Sequence, residues 1–123
     1  MKKFSKAFLE CINKQSINHL RGGEDHPKFT GIWMVTLDGR IFARSYYLRK
    51  RSWYNAFLEK GGEIKCVNAV VKVKGVKPAD LMKITPAVNA AYQKKYGVRP
   101  TNQKWIDGLC EKEKVEKTME FIP

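Results

Sequence analysis

Residues 44–54 read RSYYLRKRSWY, a run in which Arg44, Arg49, Lys50 and Arg51 alternate with Tyr46, Tyr47, Trp53 and Tyr54. These residue types suit the binding of an anion that carries a flat ring. An arginine grips a phosphate through two parallel hydrogen bonds, and the hydroxyls of Ser45 and Ser52 add further donors. If a helix starts at Ser52, its unpaired backbone amides and the positive end of its dipole favour the same anion. Trp53, Tyr46 or Tyr54 can then cover a planar group, so the ensemble fits a phosphorylated aromatic cofactor. Plainer readings compete with it. A short charge run such as Arg49–Arg51 is usually a solvated turn. Trp53 and Phe57, four residues apart, can be the buried face of a helix. Arg44 is harder to explain away, because a charge on a central strand needs a partner or water.

Other chemistry finds less support. There is no G-x-S-x-G elbow, G-x-G-x-x-G or G-x-x-x-x-G-K-[ST] pattern, which argues against hydrolase, dinucleotide and P-loop sites. His19 and His26 belong to no ligand motif, and Asp25-His26 falls in a turn. Glu111, Glu113, Glu116 and Glu120 lie in a charged terminal run, where solvent exposure is expected. Tyr92, Lys95 and Tyr96 can line a pocket, but a core stripe accounts for the tyrosines. Cys11, Cys66 and Cys110 are odd in number and widely spaced, which argues against disulfides and structural zinc and for reduced thiols in a cytoplasm.

The elements around the basic run follow from periodicity. Phe4, Ala7, Phe8, Cys11 and Ile12 predict an N-terminal amphipathic helix within residues 2–14. A short strand is expected at Ile17–Leu20, followed by an exposed turn at Gly22–Lys28. Gly31–Leu37 is apolar on both faces, as in a buried strand. Asp38-Gly39 is a two-residue hairpin signal, with Arg40–Tyr47 as the return strand. Its alternation puts Phe42, Arg44 and Tyr46 on one face. A helix is predicted over Trp53–Lys60, closed by Gly61, and two strands over residues 63–67 and 69–76. Thr85-Pro86 reads as a helix start, with Val88, Ala91, Tyr92 and Tyr96 on the buried stripe. A helix near Asn102–Cys110 and a last strand at residues 115–122 complete the chain. Segregated strands and helices predict an α+β domain with an antiparallel sheet or small barrel.

The 123 residues form one domain, with no repeat and no membrane-span-length apolar run. The basic opening is interrupted by Lys6 and Glu10 before any signal core, so an intracellular protein is expected. Twenty-four Lys and Arg against twelve Asp and Glu give a net charge of +12, which favours anionic partners.

The segment from Ile32 to Cys66, with "AAYQKKY" (Ala90–Tyr96) and the terminal "TMEFIP", resembles a group of small bacterial proteins of undefined function. That group is similar to the flavin-binding split β-barrels, which include pyridoxamine-phosphate-oxidase-like proteins and deazaflavin-dependent nitroreductases. The resemblance runs from about Thr30 to Pro123 and rests on Trp33, Arg44-Ser45, Trp53-Tyr54 and Ala90–Tyr96. It implies a six-stranded antiparallel split barrel with peripheral helices that pairs as a homodimer. FMN, or a deazaflavin coenzyme, would sit at the interface and carry any oxidoreductase chemistry. Arg44, Ser45, Lys50, Arg51 and Ser52 would hold the phosphate, and Trp53 and Tyr54 would border the pocket. Two other readings stand beside it. One is a non-enzymatic module that binds RNA or single-stranded DNA through stacked rings and a stripe joining Lys72, Lys74 and Arg49–Arg51. The other is a structural dimer with a vestigial pocket and no cofactor.

Overall fold

The computed structural model describes residues 3–22, 28–45 and 53–123. Seven antiparallel strands form one sheet in the order β2-β1-β5-β6-β7-β4-β3. They are β1 Asn18–Arg21, β2 Thr30–Ile32, β3 Met34–Leu37, β4 Arg40–Arg44, β5 Gly62–Cys66, β6 Ala69–Val76 and β7 Thr118–Ile122. Five helices accompany them: α1 Lys6–Lys14, α2 Trp53–Lys60, α3 Leu81–Tyr96, α4 Gln103–Leu109 and α5 Lys112–Val115.

The expected strand Gly31–Leu37 is broken at Trp33, and the break explains the shape. Ile32 pairs with Asn18 of β1, whereas Met34 pairs with Ala43 of β4. Thus β2 and β3 are opposite edges of the sheet, yet only Trp33 separates them. Two residues of extended chain span at most about 7 Å, so the sheet curls into a half-barrel until its edges approach. One segment changing neighbours is also why seven strands are found where six were expected.

A sheet curled in this way has two buried faces. Leu20, Met34, Ile41, Ala43, Ile64, Val73, Met119 and Phe121 fill the inside, with Phe8 and Ile12 from α1 and Tyr54 and Phe57 from α2. Outside, Val35 and Phe42 pack beneath Ile84, Val88, Tyr92 and Tyr96 of α3 and Ile106 and Leu109 of α4. Consequently Ile41–Arg44 is buried at every position, whereas in Gly31–Leu37, the segment whose two-sided apolar pattern predicted burial, only Met34 and Val35 are buried. The hairpin before it turns on Asp38 and Gly39, both at positive φ (50° and 81°), as the Asp-Gly pair predicts. Gly61, at φ 68°, closes α2 as expected.

Three expectations are corrected. The helix assigned to Thr85-Pro86 begins at Leu81, so Pro86 lies inside it. Proline forfeits one hydrogen bond to the carbonyl of Met82, and Met82 is 92% exposed, so water can replace that bond. Thr85 instead donates its hydroxyl to the Leu81 carbonyl at 2.6 Å. Cys11 and Cys66, expected as free thiols, form a disulfide that ties α1 to the end of β5. They meet because the buried stripe of α1 and the inner face of β5 share one core, which spacing along the chain cannot reveal. Glu120, expected in solvent, accepts two hydrogen bonds from Arg40 at 2.8 and 2.9 Å. Arg40 also binds both oxygens of Asp80 at 3.0 Å, and these bonds, that to Glu120 foremost, hold its pKa above the ordinary value. The short α5 falls in the same charged run, which carries no apolar period to announce it.

Candidate functional site

Arg44 ends β4 opposite Thr118 of β7, on the outer face of the sheet and beneath α3. It is 4% exposed. Its Nε donates to Thr118 Oγ1 at 2.9 Å, and Nη1 donates to Asn89 Oδ1 and, at 3.0 Å, to the Leu109 carbonyl oxygen. Leu109 is the last residue of α4, so the guanidinium caps a helix C-terminus and faces the negative end of its dipole. The backbone N–H of Arg44 donates to the Tyr92 hydroxyl at 3.0 Å, and the guanidinium carbon stands 5.6 Å from the Tyr92 ring centre.

Two features set this arginine apart from an ordinary structural cation. Its Nη2 is buried and has no hydrogen-bond partner among the described residues. No carboxylate among them acts on its charge. Burial lowers its pKa, opposed by Tyr92 and by the Cys110 side chain, which lies beside the guanidinium. An arginine cannot escape the cost of burial by losing its proton. The site therefore holds a positive charge and a spare donor without an anion among the described residues to receive them.

The other site residues read from the sequence are placed differently. Ser45 adjoins Arg44 and is also buried. Lys50, Arg51 and Ser52, with Arg49, Tyr46 and Tyr47, lie outside the described residues. Tyr54 is buried in the inner core, and its burial raises its pKa. Trp53 packs on that core, edge-on to Phe57 and tilted against Phe121, with centroids 6.3 and 6.2 Å away. Both rings thus belong to the inside of the curl, whereas Arg44 belongs to the outside. The lysines of the nucleic-acid reading, Lys72 and Lys74, are both exposed on one face of β6.

Sequence reasoning missed Asn89, Thr118, Cys110 and the Leu109 carbonyl as the surroundings of Arg44. A signal existed for Asn89 alone, since it lies three residues before Tyr92 and so on the same side of α3. Lys95 was also underestimated. Its Nζ donates to the carbonyls of Ile12 and Met34 at 2.7 and 2.6 Å, and burial lowers its pKa to about 8. Around it, α3 services the break in the edge strand. The Tyr92 hydroxyl reaches the Trp33 carbonyl at 3.4 Å, and the Met34 N–H donates to the Tyr96 hydroxyl at 3.1 Å. The Trp33 and Tyr96 rings stack with centroids 4.1 Å apart.

Residues 9–121 match the family described as an uncharacterized protein conserved in bacteria (DUF2255). The chain belongs to that family. The match begins within α1, upstream of the Thr30 boundary drawn from the sequence, and takes in β1 to β6 and β7 as far as Phe121. No curated protein matches the chain. Its fold is similar to the crystal structure of a conserved hypothetical protein, Rv2991, from Mycobacterium tuberculosis. The two align with a TM-score of 0.52 at 14% identity, over 98% of this chain and 83% of that one. The likeness supports the DUF2255 fold as a curled sheet with peripheral helices. Among the described residues, no helix is long and apolar enough to cross a membrane.

Proposed function

We propose that this DUF2255 protein is a homodimeric split barrel that binds a flavin nucleotide, FMN or a deazaflavin coenzyme, by its phosphate at Arg44. The observation that carries the reading is the buried Nη2 of Arg44, a charged donor without an acceptor among the described residues. A phosphate oxygen supplies both the missing acceptor and the missing counter-charge. Thr118, Asn89 and the Leu109 carbonyl fix the guanidinium plane, so the free N–H groups are pre-oriented for the anion. Ser45, next along the chain, is the second phosphate candidate, followed by Lys50, Arg51 and Ser52. When bound, the flavin would supply hydride or electron transfer, and the protein would act as an oxidoreductase. The fit is confined to the phosphate end, because Trp53 and Tyr54 pack in the core instead of offering a free face. That packing is also what favours the second reading, a structural dimer whose pocket is vestigial.

A titration of the protein with FMN, riboflavin and a deazaflavin coenzyme, followed by fluorescence quenching, separates the two. Saturable FMN binding that riboflavin does not reproduce, and that Arg44→Met abolishes in a folded protein, supports the phosphate anchor. Failure of every flavin to bind discards it in favour of the structural dimer. Retention of single-stranded RNA with a steep loss on added salt would favour the Lys72–Lys74 face instead.

A further inference from the structure

With Cys11 and Cys66 joined, Cys110 is the chain's free thiol. It is half-buried at the C-cap of α4, one residue beyond the carbonyl that Arg44 Nη1 holds at 3.0 Å. Its side chain lies beside the guanidinium whose Nη2 has no acceptor among the described residues. From this juxtaposition we infer that Cys110 is a peroxide-oxidation site whose anionic product, a cysteine sulfinate, is received by the spare Nη2 of Arg44.

The chemistry balances with hydrogen peroxide as oxidant. The Cys110 sulfur attacks one peroxide oxygen, the O–O bond breaks and an S–O bond forms. Sulfur gives up two electrons, and the thiol proton leaves with the departing hydroxide as water. A second peroxide repeats the step on the sulfenic sulfur, releasing another water, and the sulfinic proton goes to solvent. An adjacent guanidinium assists because reaction proceeds through sulfur carrying negative charge. It also stabilises the product, since a sulfinate oxygen is an acceptor for a charge-assisted hydrogen bond. Unoxidised, the buried Nη2 has no acceptor, and no carboxylate offsets the arginine's charge, among the described residues. Oxidation therefore repairs an electrostatic defect in the fold, the reverse of what oxidising a cysteine against an apolar wall would do.

The test is peptide mass mapping of the disulfide-intact protein along a hydrogen peroxide time course. Native protein is compared with the same chain unfolded in guanidinium chloride, and thermal melting is measured before and after oxidation. Cys110 is expected to reach the sulfinate several-fold faster in the native protein, and the oxidised protein to melt at a higher temperature. Arg44→Met should remove both effects. A native rate no greater than the unfolded one, or a lowered melting temperature after oxidation, overturns the inference. If Arg44→Met does not fold, the two wild-type comparisons decide alone. The inference does not depend on flavin binding, and mass mapping can fail or succeed whatever the titrations show.

Discussion

Lys95 donates a 2.6 Å hydrogen bond from Nζ to the Met34 carbonyl, at the point where one chain segment leaves one sheet edge for the other. A second bond, to Ile12, holds the last turn of α1 against the same helix. The two acceptors are backbone carbonyls, which carry no full charge to offset the burial of the ammonium.

Stability should therefore rise with pH across the range where Lys95 titrates. Burial lowers its folded pKa from 10.5 to about 8. Below pH 8 both states are protonated and the cost of burying the charge is fully present. Between pH 8 and 10 the unfolded chain binds more protons than the folded one, so unfolding becomes harder. The gain is about 1 kcal/mol once solvent screening at a half-buried site is allowed for. Above pH 10 the trend should reverse, because Tyr92 and Tyr96 have raised folded pKa values and the unfolded chain loses those protons first. Urea melts of wild type and Lys95→Met from pH 7 to 11 check this, and the variant should lack the rise.

Tyr96→Phe should destabilise the fold more than the loss of one average hydrogen bond. The hydroxyl accepts from the Met34 N–H at 3.1 Å and donates to the Ser16 carbonyl at 2.7 Å. Removing it strands a buried backbone donor, at a cost of about 1–3 kcal/mol. Chemical denaturation measures the loss. Trp33 fluorescence should change little, because the phenyl ring preserves the stack.

Reducing the Cys11–Cys66 bond should lower the melting temperature substantially. The bridge spans a sequence separation of 55. Closing a loop of that length removes about 4 kcal/mol of unfolded-state entropy in the chain model. Melting with and without a phosphine reductant tests it, and Cys11→Ser should match the reduced wild type. Equal melting temperatures in both conditions would show that the bridge contributes nothing.

Arg44→Met should change global stability by no more than about 1 kcal/mol in either direction. The substitution forfeits bonds to Thr118, Asn89 and Leu109, but it removes a buried charge and strands no carboxylate among the described residues. Arg44→Lys should be worse for folding, since an ammonium keeps the charge and cannot reproduce the planar fork. Paired denaturation curves of the two variants give the order directly.

Local signals set by short-range chemistry were legible from the chain alone. The Asp38-Gly39 hairpin needs only two residues that tolerate positive φ, and α2 needs only its apolar spacing and Gly61 as a stop. The stripe Val88, Tyr92, Tyr96 identified the buried face of α3, whereas the two-sided apolar pattern of Gly31–Leu37 is realised as full burial at Met34 and Val35 alone. The basic and aromatic cluster was legible as a composition, and its division was not. Alternation cannot say that Arg44 faces α3 while Trp53 and Tyr54 turn into the opposite core, since only the curl of the sheet separates those two spaces. The disulfide, the clamp of Arg40 on Glu120 and Asp80, and the cage around Arg44 join residues far apart in sequence. Such contacts depend on register and curvature, which arise when Trp33 passes the chain from one edge to the other. Short-range patterning fixed most strands, helices and core stripes, but not the start of α3, the short α5 or the break at Trp33. Tertiary structure decided which charge is buried without a counter-charge among the described residues, because burial and pairing are properties of the packed sheet and not of any segment within it.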